Sequence, residues 1–172
     1  RQQIASFVLK DTRAVGSRVL DLDEDFLITG IGKIITDDFK KDLLLWTDNN
    51  MQPCCINIER AKTYGENGFE KEDIFLVKKP PLYTPTTTPY YTNDRSNNIE
   101  EKFLTFSYRY KYLDGEYSAL SDFTNYKFTP RAFDLDFFTL SNEGMVNAFN
   151  GVKIDFNTGE KQVTDVELCV KE

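Results

Sequence analysis

Histidine is absent from the 172-residue chain, and cysteine, methionine and tryptophan are scarce, at three, two and one residues. Without histidine, the chain cannot form a Ser-His-Asp triad, a Cys-His dyad or a His-ligated zinc site. Cys54, Cys55 and Cys169 have neither metal-type spacing nor the density of a disulfide framework, which fits a reducing origin or incidental core sulfur. These classes of active site are therefore excluded within this sequence.

Long apolar runs and an excess of basic residues are also missing. No stretch approaches the ~20 apolar residues that cross a bilayer. The chain has 21 Lys and Arg against 28 Asp and Glu, a net charge of −7, which is the wrong sign for following a phosphate backbone. We therefore expect no membrane span and no sequence-specific nucleic-acid partner. The start, Arg1-Gln2-Gln3-Ile4, has no Met and no signal-peptide pattern, so we expect the chain to be part of a longer protein.

Acidic and glycine-containing stretches offer no candidate for catalysis. Asp21, Asp23 and Asp25 alternate like the ligands of a calcium loop, but the glycine and the later Glu of such a loop are missing, which favours an acidic strand or turn. Residues 155–159 are better explained by a turn than by a calcium site. Residues 30–32 are too short for a dinucleotide fingerprint, and pairs of carboxylates carry no geometric signal in a sequence. We predict a non-enzymatic chain with no catalytic residue, metal or cofactor.

Aromatic residues are abundant, with 14 Phe and 9 Tyr, and such residues favour strands over helices. Residues 104–112 alternate strictly between apolar and polar, which predicts a half-buried strand with Tyr108, Tyr110 and Tyr112 on one face. That face can serve as a platform for sugars or bases, but packing in a core or an interface explains it better. The chain is therefore predicted to be all-β.

The residues after this strand predict a hairpin. Asp114-Gly115 supplies a turn and residues 116–120 return antiparallel. Tyr126 and Phe128 resume the alternation, and Phe123 breaks its parity as a bulge or a bend between sheets would. Residues 103–138 hold 12 of the 24 aromatic residues, a concentration that favours a core over a subunit interface.

Short apolar runs bounded by turn residues predict further strands on both sides of this hairpin. In the first half these are residues 26–28 with Ile31, Ile34 and Ile35, then 43–46, 54–58 and 74–77, with one helical turn within 59–64. The proline-rich residues 80–98 are either a linker or a first strand with a surface loop, and the strand is favoured slightly. Residues 151–156 and 163–170 predict a second hairpin, with Val166, Leu168 and Val170 in its apolar register.

Three stretches carry a resemblance to known proteins. Residues 44–49 (LLWTDN), followed by Gln52-Pro53 and residues 56–61 (INIERA), resemble a β-propeller blade whose strand ends at Trp46-Thr47-Asp48. Residues 108–121 (YRYKYLDGEYSALS) resemble strands of fibronectin type III-like modules. Together with residues 150–159 (NGVKIDFNTG), they are similar to the muzzle-type tail proteins of crAss-like bacteriophages.

The resemblance implies the end of a β-propeller-like domain over residues 1–79, of which one blade is visible. It implies a fibronectin type III-like segment over 80–129 and further immunoglobulin-like β-sandwich strands over 130–172. The implied function is that of a non-enzymatic virion component of a phage tail, which forms homo-oligomers and binds other tail proteins around the DNA conduit. Structural roles are expected for Trp46 and Asp48 and for the face of Tyr108, Tyr110 and Tyr112.

Two other functions remain open from the sequence. One is a secreted or surface-attached bacterial adhesion or carbohydrate-binding module, which sandwich strands and tyrosines also suit. The other is a piece of a carbohydrate-active enzyme whose catalytic domain lies elsewhere in the parent protein.

Overall fold

The computed structural model of the chain describes residues 28–37, 41–61 and 71–172. It divides into two compact units. Unit 1 comprises Arg1–Lys79 with Asp114–Glu116, and unit 2 comprises Pro80–Leu113 with Tyr117–Glu172. Within the described ranges, short antiparallel strands dominate and helix is limited to two single turns, so the all-β prediction is confirmed at this level. No helix in these ranges is long and apolar enough to cross a bilayer.

Unit 1 contains one three-stranded antiparallel sheet. Its strands are β1 (Gly30–Ile34), β2 (Leu43–Thr47) and β3 (Cys54–Asn57), in the spatial order β1-β2-β3. A single helical turn, α1 (Ile58–Ala61), follows β3 directly. The side chain of Asn57 accepts the backbone N–H of Arg60 at 3.0 Å, which caps the start of this turn.

The core of unit 1 lies on one side of β2 and β3. It consists of buried residues from β2, β3, α1 and the segment after it: Leu44, Trp46, Cys54, Ile56, Ile58, Ala61 and Ile74. Cys54 and Cys55 project to opposite faces of β3, and both are buried. In contrast, every residue of β1 is exposed.

The structure of unit 1 differs from two of the predictions. The strand expected at 74–77 is wrong: the structure has a 3₁₀ turn at Lys71–Ile74, and only Phe75 forms a bridge, to Cys54. The contact with β3 is short: the Leu76 N–H donates to the carbonyl of Pro53, the residue before β3, at 2.9 Å, and Lys78 then reaches back to the Asp73 carbonyl at 3.2 Å. The helical turn expected within 59–64 lies at Ile58–Ala61, and residues 62–64 fall outside the described ranges, as do residues 21–27 with the acidic run and the start of the first predicted strand.

Unit 2 contains two separate two-stranded antiparallel sheets. One pairs β4 (Thr86–Tyr90) with β6 (Gly151–Asp155), and the other pairs β5 (Thr105–Tyr112) with β7 (Val163–Lys171). The proline-rich segment therefore supplies a strand, as the favoured interpretation held. Pro89 lies opposite Val152 in a two-stranded sheet, where its missing N–H is tolerated.

The second predicted hairpin is wrong, because β6 and β7 pair with different strands. The segment between them is held elsewhere: Tyr110 donates its hydroxyl to the Asn157 carbonyl at 3.1 Å, and Asn157 accepts the N–H of Gly159 at 2.8 Å. Gly159 has a φ of +82°, a left-handed conformation that suits glycine. The connection therefore turns away over the Tyr110 ring, and β7 reaches β5 instead of β6.

The antiparallel return expected at 116–120 is confirmed, since Tyr117 forms an antiparallel bridge to Lys111. These residues do not form a continuous strand, however, and a different structure runs along β5. Ser118, Ser121 and Thr124 each donate a backbone N–H to a β5 carbonyl, those of Tyr110, Tyr108 and Phe106, at 2.8–2.9 Å. Each side-chain hydroxyl accepts the N–H of the same β5 residue, at 3.0–3.2 Å. We call residues 118–124 the hydroxyl ladder, because hydroxyl oxygens stand where the carbonyls of a neighbouring strand would.

The hydroxyl ladder advances three residues for every two residues of β5. Two residues of a strand span about 6.8 Å, so the ladder rises only about 2.3 Å per residue and its intervening residues loop outward. Leu120, Phe123 and Tyr126 therefore project from successive repeats and are exposed. Beyond the ladder, Lys127 forms a bridge to Leu104, and Phe128 stacks on Phe103 with ring centroids 4.3 Å apart.

Candidate interaction surfaces

Trp46 and Asp48 lie at the end of β2 in unit 1. Trp46 is 2% exposed and sits opposite Cys54 of β3 and Ile31 of β1. The Asp48 carboxylate accepts the backbone N–H groups of Asn50 and Met51, both at 3.0 Å, which fixes the turn toward β3. The structure therefore places one of these residues in the core and the other at a turn.

Tyr108, Tyr110 and Tyr112 lie along one face of β5 in unit 2, and all three are buried. Their rings meet edge to face, with centroids 5.7 Å apart for the first pair and 6.4 Å for the second. Burial raises the pKa of Tyr110 to about 12, and it also raises the pKa of Tyr112. The closed packing leaves these rings no face on which a sugar or a base could stack.

Most aromatic residues of segment 103–138 are exposed, contrary to the core expectation. Only four of the twelve are buried, and these are the residues of β5: Phe106, Tyr108, Tyr110 and Tyr112. Seven are exposed: Phe103, Tyr117, Phe123, Tyr126, Phe133, Phe137 and Phe138. Composition alone could not separate the two outcomes, because core and interface use the same residue types.

A hairpin with a bare aromatic tip carries the most exposed of these residues. We call residues 130–147 the arm. Its two sides are joined by the bridges Pro130 to Asn147 and Leu135 to Asn142, and by backbone bonds such as Glu143 N–H to the Asp134 carbonyl at 2.7 Å. Its exposed large apolar side chains are Phe133, Phe137, Phe138, Leu140 and Met145. Phe138 is 99% exposed, which is extreme for a phenylalanine.

The tip of the arm is held by hydrogen bonds around Asp136. One carboxylate oxygen accepts the Phe138 N–H at 2.9 Å and the other accepts the Thr139 hydroxyl at 2.6 Å, so these groups lower the pKa of Asp136. The Asp136 N–H donates to the Ser141 carbonyl at 3.0 Å, and the Leu140 N–H donates to the Asp136 carbonyl at 2.8 Å. The two phenylalanines are therefore presented by an ordered turn.

The base of the arm is fixed by Asn147, whose side chain is fully buried. Its amide nitrogen donates to the carbonyls of Ile99 and Lys102 at 2.7 and 2.8 Å, and its oxygen accepts the Thr129 N–H at 3.0 Å. The Asn147 backbone N–H also donates to the Glu100 carbonyl at 2.6 Å. Every hydrogen-bonding atom of this amide group has a partner, as a buried polar group requires.

The described residues contain no group of three or more Cys, Asp or Glu that could hold a metal ion. Asp155 is the last residue of β6, and the turn after it is at residues 157–159, where the Asn157 side chain accepts the Gly159 N–H. The acidic run at Asp21, Asp23 and Asp25 lies outside the described ranges.

The arm was missed by the sequence analysis, although its sequence holds a signal. Residues 133–138 read Phe-Asp-Leu-Asp-Phe-Phe, in which two carboxylates are interleaved with apolar residues. Such carboxylates resist burial, so the neighbouring aromatic side chains tend to stay at the surface as well.

No protein-family model, curated protein or solved structure matches this chain.

Proposed function

We propose that this chain is a non-enzymatic structural component of a phage tail, which assembles with copies of itself and with neighbouring tail proteins around the DNA conduit. The single observation that supports it best is the arm, an ordered hairpin that presents Phe137 and Phe138 to solvent. An ordered apolar tip is suited to insertion between protein neighbours, because contiguous exposed apolar surface marks interaction sites. The identification as a phage tail component rests on the sequence resemblance.

The finer architecture belongs to the same proposal: a propeller-like segment over residues 1–79 and sandwich modules over 80–172. In unit 2, the ring of Phe156, the residue after β6, lies 5.6 Å from the ring of Tyr108 in β5. That contact is the kind expected between the two layers of a sandwich. In unit 1, the three-stranded antiparallel sheet is compatible with part of one propeller blade.

The negative net charge of the chain suits a protein that lines a conduit through which DNA passes without binding. A net charge of −7 repels a phosphate backbone, which favours release over retention. The arm contributes Asp134, Asp136 and Glu143 to this acidic character. We therefore expect the assembled protein to retain no duplex DNA at low salt, and salt-dependent retention would count against the proposed location.

The test is electron microscopy and sedimentation velocity of the purified chain. The wild type is expected to form ring-shaped oligomers, and the double variant Phe137→Ser with Phe138→Ser is expected to lose them while keeping its circular dichroism spectrum. The matched control is Tyr83→Ser, which removes an exposed aromatic ring outside the arm. Rings that persist in the double variant would show that the arm does not carry assembly.

A glycan array separates this proposal from the adhesion or carbohydrate-binding alternative. Saturable binding of a defined glycan by the wild type, without ring formation, would favour the alternative. The buried Tyr108 and Tyr110 are no longer candidates for that site, so an exposed residue such as Tyr91 would have to carry it.

A further inference from the structure

The outer edge of β7 is an open sheet edge whose hydrogen-bonding groups can be assigned. Phe106, Tyr108 and Tyr110 of β5 direct their N–H and C=O groups to the hydroxyl ladder. Their cross-strand partners on β7 are Val170, Leu168 and Val166. Because opposite residues in an antiparallel pair both bond across it or both point away, these three direct their backbone groups outward.

No backbone partner lies along this outer edge in the part of the chain that the structure describes. β7 is nine residues long and contains no proline, and the charged residues in its sequence are Asp165, Glu167 and Lys171. Whether a second strand fits this edge therefore depends on how those charges are paired.

The apolar face of the sheet continues to this open edge. Val166, Leu168 and Val170 lie on the same face as the buried aromatic residues opposite them. Leu168 is 39% exposed and Val170 is 53% exposed, whereas Tyr108 is 2% exposed. Burial is therefore complete on β5 and incomplete on β7, as it would be if another strand were to cover the edge.

A second copy of β7 fits this edge in few antiparallel registers. Outward-pointing residues must face outward-pointing residues, so the two numbers in each opposite pair must have an even sum. A register centred on Val166 places Asp165 opposite Glu167, and one centred on Glu167 places that carboxylate opposite itself. Both are disfavoured by like charges.

A register centred on Leu168 has no like charges opposite each other, and its remaining pair is Glu167 with Cys169. Asp165 faces Lys171 of the second copy, Val166 faces Val170, and Leu168 faces itself, with each unlike pair occurring twice. Lys171 makes no ion pair within the described residues. Asp165 does make one, since its carboxylate Oδ2 lies 3.7 Å from Lys111 Nζ. A register centred on Cys169 also pairs unlike charges but overlaps over fewer strand residues, so it forms fewer backbone bonds.

We propose that two copies of this chain associate by antiparallel pairing of β7, centred on Leu168, which forms a continuous sheet with about six new backbone hydrogen bonds. The inference rests on the self-association in the proposed function and names a surface for it. It extends the apolar face of β5 and β7 across the two copies and covers Leu168 and Val170.

Disulfide trapping tests the register. In the Leu168-centred pairing, residue 167 faces Cys169 of the second copy with Cα atoms about 4.5 Å apart, within disulfide range. The two Cys169 residues lie about 8 Å apart, beyond that range. A mixture of the wild type with the variant Glu167→Cys, Cys169→Ser is expected to form a disulfide-linked heterodimer under mild oxidation, identified by mass spectrometry. Each protein alone is expected to remain unlinked. Linkage of wild-type Cys169 to itself would overturn this register.

Leu168→Lys tests the edge itself, because it places two like charges opposite each other. Sedimentation velocity is expected to show a dimer dissociation constant raised by roughly tenfold or more. The control is Leu82→Lys, a similar change at an exposed leucine outside β7. Circular dichroism checks that both variants fold.

The outcomes separate this inference from the proposed function. Rings that form without the heterodimer, and that survive Leu168→Lys, overturn the β7 pairing and leave the tail function standing. The heterodimer without any larger assembly supports the β7 pairing and contradicts the tail function. A wild type that stays monomeric at every concentration overturns the pairing.

Discussion

Ser121 and Tyr108 exchange two hydrogen bonds across the edge of β5, and one of them uses a side chain in place of a backbone carbonyl. The Ser121 N–H donates to the Tyr108 carbonyl at 2.8 Å, and the Ser121 hydroxyl accepts the Tyr108 N–H at 3.2 Å. Both residues are buried. A short polar side chain therefore completes the sheet edge at a point where an extended strand does not run.

We expect Ser121→Ala to destabilise unit 2, because it leaves the buried N–H of Tyr108 without its acceptor. The hydroxyl also lies 3.1 Å from that of Ser107, which is fully buried. The expected loss is about 1–3 kcal/mol in the free energy of unfolding, measured by chemical denaturation. Thr124→Ser keeps a hydroxyl at the equivalent ladder position and is the control. Equal stability of Ser121→Ala and the wild type would contradict the role assigned to the ladder.

The buried amide of Asn147 gives a second prediction. Asn147→Asp preserves shape but replaces the two N–H donors to Ile99 and Lys102 with an acceptor, which sets a carboxylate against two carbonyls. We expect a loss of about 3 kcal/mol or more, since a buried polar group without partners is costly and a charge more so. Asn93→Asp makes the same chemical change at an exposed site and should have little effect. Similar unfolding midpoints for the two variants would refute this account of the arm's base.

Gly144 gives a third prediction, because the arm is too narrow there for a side chain. A Cβ at this position would lie 2.0 Å from the Ala132 carbonyl oxygen. We expect Gly144→Ala to separate the two sides of the arm and to speed hydrogen exchange of the Glu143 amide. Overpacking of this kind costs about 1–3 kcal/mol. Gly32→Ala has nothing within 4 Å of the new Cβ and is the control. An unchanged exchange rate at Glu143 would show that the arm tolerates the added methyl group.

The strands that the sequence predicts well are those with a local pattern. The alternation over 104–112 predicts β5 correctly because apolar residues favour the buried face of a strand and polar residues favour the other face. Pairing partners are not local, so β6 and β7 were joined as a hairpin when each belongs to another strand. The run at 74–77 shows the limit of composition, since four consecutive apolar residues predict a strand. In the structure, Ile74 ends a 3₁₀ turn and Phe75 forms a single bridge.

The hydroxyl ladder could have been found from the sequence, and the arm only in part. Ser118, Ser121 and Thr124 recur every third residue directly after the strand and turn, which is a readable spacing. For the arm, the carboxylates within residues 133–138 indicate a surface. The hydrogen bonds that order its tip depend on contacts between Asp136 and residues up to five positions away, which no periodicity reveals.

Thiol reactivity gives a fourth prediction. Cys54 and Cys55 are buried, and burial, followed by the nearby Glu116 and Asp114 carboxylates, raises the pKa of the Cys55 thiol to about 11. Because the thiolate is the reactive form, we expect an alkylating reagent to modify Cys169 first, at neutral pH and without denaturant. Mass spectrometry of timed samples identifies the site, and unfolding in denaturant should make all three cysteines reactive. Modification of Cys55 at the rate of Cys169 in the folded protein would contradict the burial of β3.

The last prediction concerns alkaline pH and Tyr110. An ordinary tyrosine ionises near pH ~10, and burial raises the pKa of Tyr110 to about 12. The folded state therefore holds this proton more tightly than the unfolded state does. The resulting stabilisation is complete below pH ~10 and is lost as the pH rises toward 12.

We expect the stability deficit of Tyr110→Phe to be larger at neutral pH than at alkaline pH. At neutral pH it loses the hydrogen bond to the Asn157 carbonyl, at a cost of about 1 kcal/mol. Above pH ~10 that deficit should shrink, because the variant has no buried phenol to ionise at this position. Denaturation monitored at a series of pH values measures both effects, and Tyr126→Phe, which removes an exposed hydroxyl, is the control. A deficit that stays constant with pH would mean that Tyr110 ionises as readily in the folded chain as in the unfolded one. The conclusion that the aromatic face of β5 is closed to solvent would then be wrong.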